Sequence, residues 1–484
     1  MFSLEYFVFL IYNVIMIKNL KAKLNTFFDK SAMTEFFYGP FYPVFVALFI
    51  TLAFASNASL AGLLLVSLTA SVVFLRFEDA TPIIPLLFFV VLCFRDYNVM
   101  NGVLGYIFLA PAIISFIARF FLYPIKKFRL GKLFLPLVGV SVALLLNGLL
   151  SDVNNYTNGL VTAFTIGPVM IIIYLFFLNY VNPPKDFNLK KYLCYLLVIL
   201  GLTCFTHLCI QSIHLNVIKD LEFITSELGW GNTNCAATLL LISIPACWYL
   251  ITQVKNIIPL FIILVILHMG IILSGSDGVL AISLIFTPII AFFTYLNIDA
   301  KRRAIYLKII LTILFVLTVS ALVIVCVYDF EYLLSLLEPR FSDSSRTKLY
   351  QEALDLFSKY PIFGAGLGYQ NPELPTLLGV RLYNFHSVLF HVMGTMGIIG
   401  IIAYTFYYTE RFKLLMKNYN TFTLFITMAF IMFECYAFID TSEFNAIPLM
   451  STITVLFTIV ELTNKKDNFQ QLSLKFNSLN KINF

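Results

Sequence analysis

The chain has 484 residues, 60% of them hydrophobic and only 12% charged, and a mean hydropathy of +0.89. That balance excludes a soluble globular domain and an intrinsically disordered chain, leaving a polytopic membrane protein. The net charge of +6 calls for no nucleic acid partner, because most of the excess follows a topological bias and faces anionic lipid headgroups.

The first apolar run, residues 2–17, is short, and its first basic neighbour, Lys18, comes after it rather than before. This argues against a cleavable signal peptide and for an N-out span or an interfacial segment. Apolar runs long enough to cross a bilayer follow near 36–56, 58–75, 80–95, 102–122, 133–150, 159–181, 191–213, 235–252, 256–273, 278–296, 305–327, 386–408, 420–439 and 444–462. They predict a single all-α membrane domain over 1–484 with about 12–15 transmembrane helices.

Basic residues recur in every second loop: Lys126, Lys127, Arg129 and Lys132; Lys185, Lys190 and Lys191; Lys301, Arg302, Arg303 and Lys308; Arg411, Lys413 and Lys417; and the 463–484 tail. The positive-inside bias puts these loops and the tail in the cytoplasm. It puts the 214–234 loop and the large 328–385 loop outside. Arg119 lies near the cytoplasmic end of its span, where it can snorkel, and reads as structural. All eight cysteines lie within or at the edge of apolar runs without a Cys-x-x-Cys pair; they are packing residues, not a disulfide framework or a metal site.

Residues 1–213 carry little chemistry, and no internal repeat or low-complexity tract is evident. The 214–234 loop ends in Gly229-Trp230-Gly231-Asn232-Thr233-Asn234. Asn232 or Asn234 can cap the next helix and Trp230 can anchor at the interface, or all three can touch substrate. A further external turn reads Ser274-Gly275-Ser276-Asp277-Gly278.

The 328–385 loop is the only long polar interval and holds Arg340, Arg346, Lys348, Lys359 and Arg381. Within it Leu349, Ala353, Leu354, Leu356, Phe357 and Tyr360 recur at helical spacing, Lys348/Glu352 and Asp355/Lys359 stand four apart, and Pro361 stops the run. An amphipathic cap helix is therefore expected over about 345–360, outside the bilayer core. Arg346 falls in its first turn, beside the positive end of the helix dipole, a good place to hold a phosphate. Salt bridges from Arg346 or Arg340 to Asp343, Glu338 or Asp277 are the competing role.

Next come Gly364-Ala365-Gly366-Leu367-Gly368 and then His386 at the mouth of a span. The glycine run lacks the Gly-Lys-Ser/Thr ending of a nucleotide-binding loop, so no nucleotide is implied. Its glycines permit a tight helix exit and close backbone approach. A histidine placed as His386 is can take a proton from a hydroxyl near neutral pH; taken alone, it reads more readily as an interfacial residue bonded to a loop carbonyl. His391 projects from a different face and reads as packing. Glu434, in the outer third of a span, is an ionisable intramembrane group, and Asp440 and Glu443 follow at the same external surface without an assigned role.

The order arginine, cap helix, Pro-x-x-Gly-x-Gly-x-Gly and histidine at a span's outer end resembles the bacterial O-antigen ligase and O-antigen polymerase superfamily, over roughly residues 225–405. The Gly-Trp-Gly-x-x-Asn stretch looks like one found in polymerase-like members. The resemblance implies a membrane glycosyltransferase that moves a glycan from a polyprenyl diphosphate donor to a hydroxyl of a glycan, lipid or protein. It makes His386 the catalytic base, and Arg346, Arg340, Gly364, Gly366, Gly368, Trp230, Asn232, Asn234 and Asp277 candidate diphosphate or substrate contacts. Many members have arginine where this chain has Asp277, which shifts phosphate binding toward Arg340 and Arg346. No metal or cofactor is required, since the lipid diphosphate is itself the leaving group, and in-line attack implies inversion. The expected location is the bacterial cytoplasmic membrane, with an extracytoplasmic site. A transporter or flippase for a lipid-linked glycan or other solute is the rival class; paired broken helices at the midplane would mark it, whereas the polar residues here collect in one external loop.

This topology is tested by labelling single cysteines from outside in intact cells: Ser358→Cys reacts and Ser473→Cys does not. The reverse pattern would invert the whole assignment.

Overall fold

A computed structural model describes residues 30–96, 103–150, 156–214, 228–327, 344–369, 385–417 and 419–463. In chain order the helices are α1 (Lys30–Tyr38), α2 (Phe41–Ala55), α3 (Ser59–Arg76), α4 (Ile83–Phe89), α5 (Val103–Leu122), α6 (Phe134–Leu149), α7 (Tyr156–Ile166), α8 (Pro168–Tyr180) and α9 (Leu189–His214). They continue as α10 (Thr233–Gln253), α11 (Ile258–Ser274), α12 (Asp277–Asn297), α13 (Ala300–Val327), α14 (Ser344–Lys359), α15 (Val388–Lys417), α16 (Thr421–Ala437) and α17 (Ile447–Thr463). No strand occurs among the described residues. Among the described residues seven helices are long and apolar enough to cross a membrane, or eight if the bent pair α1–α2 is one span, and shorter apolar helices accompany them. The protein is a polytopic helical membrane protein.

The chain folds as two compact units. The first comprises residues up to Gly131, Ile172–Asn232 and the chain from Ser451; the second comprises Lys132–Ile171 and Thr233–Met450.

In the first unit α3 packs along α5 and α2 along α9. The apolar run 80–95, expected to span, does not. It forms only α4 and a 3-10 turn at Val90–Cys93, about 16 Å of helix at 1.5 Å per residue against a hydrocarbon core of about 30 Å. Pro82 and Pro85 lie at its start, and Ile84, Phe88, Phe89, Leu92 and Cys93 are fully buried, so its apolarity serves the protein core rather than lipid. Arg119 is structural but does not snorkel. It is fully buried, donates from Nη1 to Phe77 O at 2.7 Å and from Nη2 to Glu78 O, and lies 4.5 Å from the Tyr180 ring centre. The end of α3 thus supplies the carbonyls that water would otherwise replace.

The second unit is built around α10, which is apolar all round and buried along its whole span, as such a pattern requires. α11, α12 and α16 pack on it, and α15 packs on α6 and α14. The cap helix forms where its periodicity places it. Leu349, Ala353 and Leu356 make its buried stripe and cluster with Phe385, while Gln351, Leu354, Asp355 and Lys359 are exposed. Glu352 accepts from Tyr369 OH at 2.5 Å and Asp355 from Gln351 Nε2 at 2.9 Å.

α15 is broken at Gly397, whose φ of 59° and ψ of −153° no helix contains. The 361–366 segment heals the break. Ala365 and Gly366 amides donate to the Gly394 and Thr395 carbonyls at 2.9 Å each, and the Ile398 amide donates to Pro361 O at 2.9 Å. Gly364 makes this approach possible: it has φ +70°, and a Cβ there would stand 2.3 Å from the Thr395 carbonyl carbon. Gly364→Ala should therefore cost at least about 1–2 kcal/mol from the left-handed backbone alone, more with the clash, read as a lower thermal midpoint in detergent. An unchanged midpoint would show that this crossing is not a constraint on the fold.

Candidate functional site

His386 lies two residues before α15, between buried Phe385 and buried Ser387. Its backbone is left-handed, φ 47°, which costs a residue with a Cβ roughly 1–2 kcal/mol and persists only where the surroundings over-determine it. Here they do. Tyr350 of the cap helix donates its hydroxyl to His386 O at 3.2 Å, and the Tyr350 ring stacks on Phe390 with centroids 4.3 Å apart. The cap helix thereby sets the histidine's backbone.

The imidazole is held from the other side. Its Nδ1 lies 3.7 Å from Asp440 Oδ1, within ion-pair range but longer than a hydrogen bond, and the side chains are 30% and 14% exposed. Asp440 follows the C-terminal end of α16. Its Oδ2 accepts from Tyr436 OH at 2.8 Å and its Oδ1 from the Thr441 amide at 2.7 Å. Burial pushes the Asp440 carboxyl up, but His386, the Thr441 amide and the Tyr436 hydroxyl together outweigh it and hold the group below the usual carboxylate range. With its proton committed to Asp440, the Tyr436 hydroxyl accepts from Ser276 Oγ at 3.2 Å. A polar chain therefore runs from the 274–278 turn through Tyr436 and Asp440 to His386.

That turn is shaped for the contact. Gly275 ends α11 with φ 68°, and a Cβ on Gly278 would come within 2.4 Å of Ile439 Cδ1. Asp277 is the first residue of α12 and is half-buried. Arg346, in the first turn of α14, donates from Nη1 to Ile439 O at 3.4 Å, the carbonyl next to Asp440. The structure thus brings together His386, Arg346 and the Asp277 turn, adding Asp440 and Tyr436.

The other candidates fall elsewhere. Arg340 lies outside the described residues. Gly364 and Gly366 serve the α15 break, and Gly368 is buried just beyond them. Asn234 is in the first turn of α10. Trp230 and Asn232 belong to the first unit, where Trp230 is 2% exposed, with its ring centroid 6.2 Å from that of His207; it is a core residue there, not an interfacial anchor. Gly229 packs on the Arg95 backbone. His391 is buried against Phe385 and Phe444, as expected of packing. His268 ties α11 to α12, with Nδ1 2.8 Å from Leu264 O and Nε2 3.0 Å from Thr287 Oγ1. Among the described residues no three His, Cys, Asp or Glu side chains converge as metal ligands.

Two positions differ from their sequence assignment. Arg411 is not a cytoplasmic loop cation but a fully buried residue of α15, and Glu443 is not at a surface but fully buried beside it. The reason is mutual: each charge is tolerated in the interior because the other is there. Next to the site, Val388, Leu389, Tyr404, Tyr408, Glu434 and Phe438 line part of a mainly apolar cavity of about 190 Å³.

These features define a multi-pass helical membrane protein that gathers an imidazole, a carboxylate and a guanidinium at one place in its second unit. Residues 260–405 match the model of a family described as O-antigen ligase. That match supports a likeness to the O-antigen ligase and polymerase superfamily over this segment. No curated protein and no solved structure matches the chain.

Because the folded-state carboxyl of Asp440 lies below its unfolded value of about 3.9, its stabilising contribution is complete above that value. It is lost as pH falls through the lower, folded value. Asp440→Asn should therefore be less stable than the native protein by a constant margin from about pH 7 to 5, and the margin should close below about pH 4. Thermal unfolding across this range checks it; a margin that persists unchanged into strong acid would mean that the carboxylate is not the stabilising group.

Proposed function

We propose that the protein transfers a glycan from a polyprenyl diphosphate carrier to an acceptor hydroxyl at the outer face of the bacterial cytoplasmic membrane. The observation that carries this is the His386–Asp440 pair with Arg346 bonded to the carbonyl beside it. Asp440 faces the ring on its Nδ1 side, so Nε2 is the nitrogen left to receive the acceptor's proton. A carboxylate that orients an imidazole in this way is a recurrent arrangement for activating a hydroxyl. As the acceptor oxygen bonds to the anomeric carbon, the bond from that carbon to the diphosphate oxygen breaks and its electron pair leaves with the diphosphate. In-line displacement inverts the anomeric centre. Arg346 stabilises the charge that grows on the leaving group, and the apolar cavity beside His386 suits the first isoprene units of the carrier. Neither step calls on a metal. The acceptor is a further glycan, a lipid or a protein hydroxyl.

His386→Gln keeps a hydrogen bond but cannot take the proton, and should lower transfer by about 10²–10⁴ while membrane insertion and donor binding persist. Arg346→Ala should be nearly inactive and Arg346→Lys impaired, because lysine keeps the charge and loses the planar fork. Both are measured as glycan transfer from a polyprenyl-diphosphate-linked repeat unit by the purified protein. Native turnover in His386→Gln would leave the acceptor's proton without a base and sink the mechanism.

A further inference from the structure

One buried cluster of the second unit supplies no proton, charge or bond to the chemistry above, although two of its members, Tyr408 and Glu434, line the adjacent cavity. Arg411 Nη2 lies 2.5 Å from Glu443 Oε1 and 3.2 Å from Glu434 Oε1. Tyr408 OH donates to the other Glu443 oxygen at 2.9 Å, and the Tyr407 ring centre is 4.1 Å from the guanidinium carbon. An interior guanidinium is costly without its counterions, so Arg411 dictates where both carboxyl groups stand. Those two groups bracket the segment that carries Asp440. Glu434 is in the last turn of α16, and Glu443 lies in the short 3-10 turn Ser442–Phe444. Phe444, beside it, is fixed by the rings of His391 and Tyr404, with centroids 4.2 Å and 6.0 Å away.

The direct bonds of Asp440, from Tyr436 and Thr441, are made within its own turn. Neither ties that turn to α15, the helix His386 heads. Arg411 does, since it belongs to α15 and grips the turn from both sides.

We propose that Arg411, acting through Glu443 and Glu434, is a positioning residue that sets the Tyr436–Thr441 turn so that Asp440 meets the His386 ring. This rests on His386 being the base, yet it concerns residues that lie beyond the matched segment 260–405.

Glu443→Gln is the informative change. It keeps the side chain's shape and a hydrogen-bond acceptor for Arg411, while Glu434 still balances the guanidinium. In the full-length protein in lipid nanodiscs, the rate at which diethyl pyrocarbonate modifies His386 is followed by peptide mass spectrometry, with His268, clasped between α11 and α12, as the internal reference. His386 should react several-fold faster in Glu443→Gln and in Asp440→Asn, and no faster in the double variant than in either single one. Transfer from a polyprenyl-diphosphate-linked repeat unit should fall in parallel, with kcat down about 10-fold or more, donor KM unchanged and no further loss in the double variant. Native reactivity of His386 in Glu443→Gln, or effects of the two changes that multiply, would overturn the positioning role alone. Native reactivity and turnover in Asp440→Asn would instead overturn the His386–Asp440 assignment on which it rests. Should Glu443→Gln fail to fold, Glu434→Gln decides: faster modification of His386 supports the proposal, and native reactivity overturns it.

Discussion

Backbone hydrogen-bond closure, in a setting where water cannot substitute, is the constraint on which the second unit depends. α15 breaks at Gly397, and the carbonyls of Gly394 and Thr395 and the amides of Ile398 and Ile399 find their partners in the 361–366 segment that leaves the cap helix. The cap helix is thereby stitched to α15, with Ala353 lying against Gly394, where a Cβ would be 3.2 Å from the Ala353 Cα. Once the two helices are locked, Tyr350 reaches the His386 carbonyl and the histidine is held in a backbone conformation it would not otherwise adopt. The glycine run that looks like a ligand loop is the device that permits this closure.

Charge burial is resolved differently in the two units. In the first, Arg119 is held by the carbonyls at the end of α3 and by the Tyr180 ring. In the second, Arg411 is met by carboxylates from the segment that also carries Asp440. The first arrangement ends a helix, whereas the second couples two helices at the place where the imidazole lies. A transporter would be expected to place its polar groups at paired helix breaks; the convergence of His386, Asp440, Arg346 and the Ser276 turn supports an enzyme.

Much of the architecture was legible because the signals were local. The membrane runs came from hydropathy alone, and α3, α9, α10 and α12 begin and end within a few residues of their runs. The cap helix followed from the spacing of Leu349, Ala353 and Leu356, with Pro361 as its stop. The run 80–95 was misassigned because hydropathy cannot separate a helix buried in protein from one buried in lipid. Arg411 was misassigned because a cation a few residues past an apolar run has the same sequence context whether it faces water or a carboxylate. Glu434, an acid inside an apolar run, was the one signal that such a partner existed.

By itself the sequence determined that this is a helical membrane protein with a polar cap helix, and it singled out His386 and Arg346, because residue type and spacing along one helix or one loop are local properties. Only the tertiary structure decided what surrounds them. Asp440 meets His386 from beyond α16, Tyr436 relays to Ser276, and Arg411 grips Glu443. Such contacts depend on how helices pack side by side, and a hydrophobic period records that a face is buried without recording which face it is buried against.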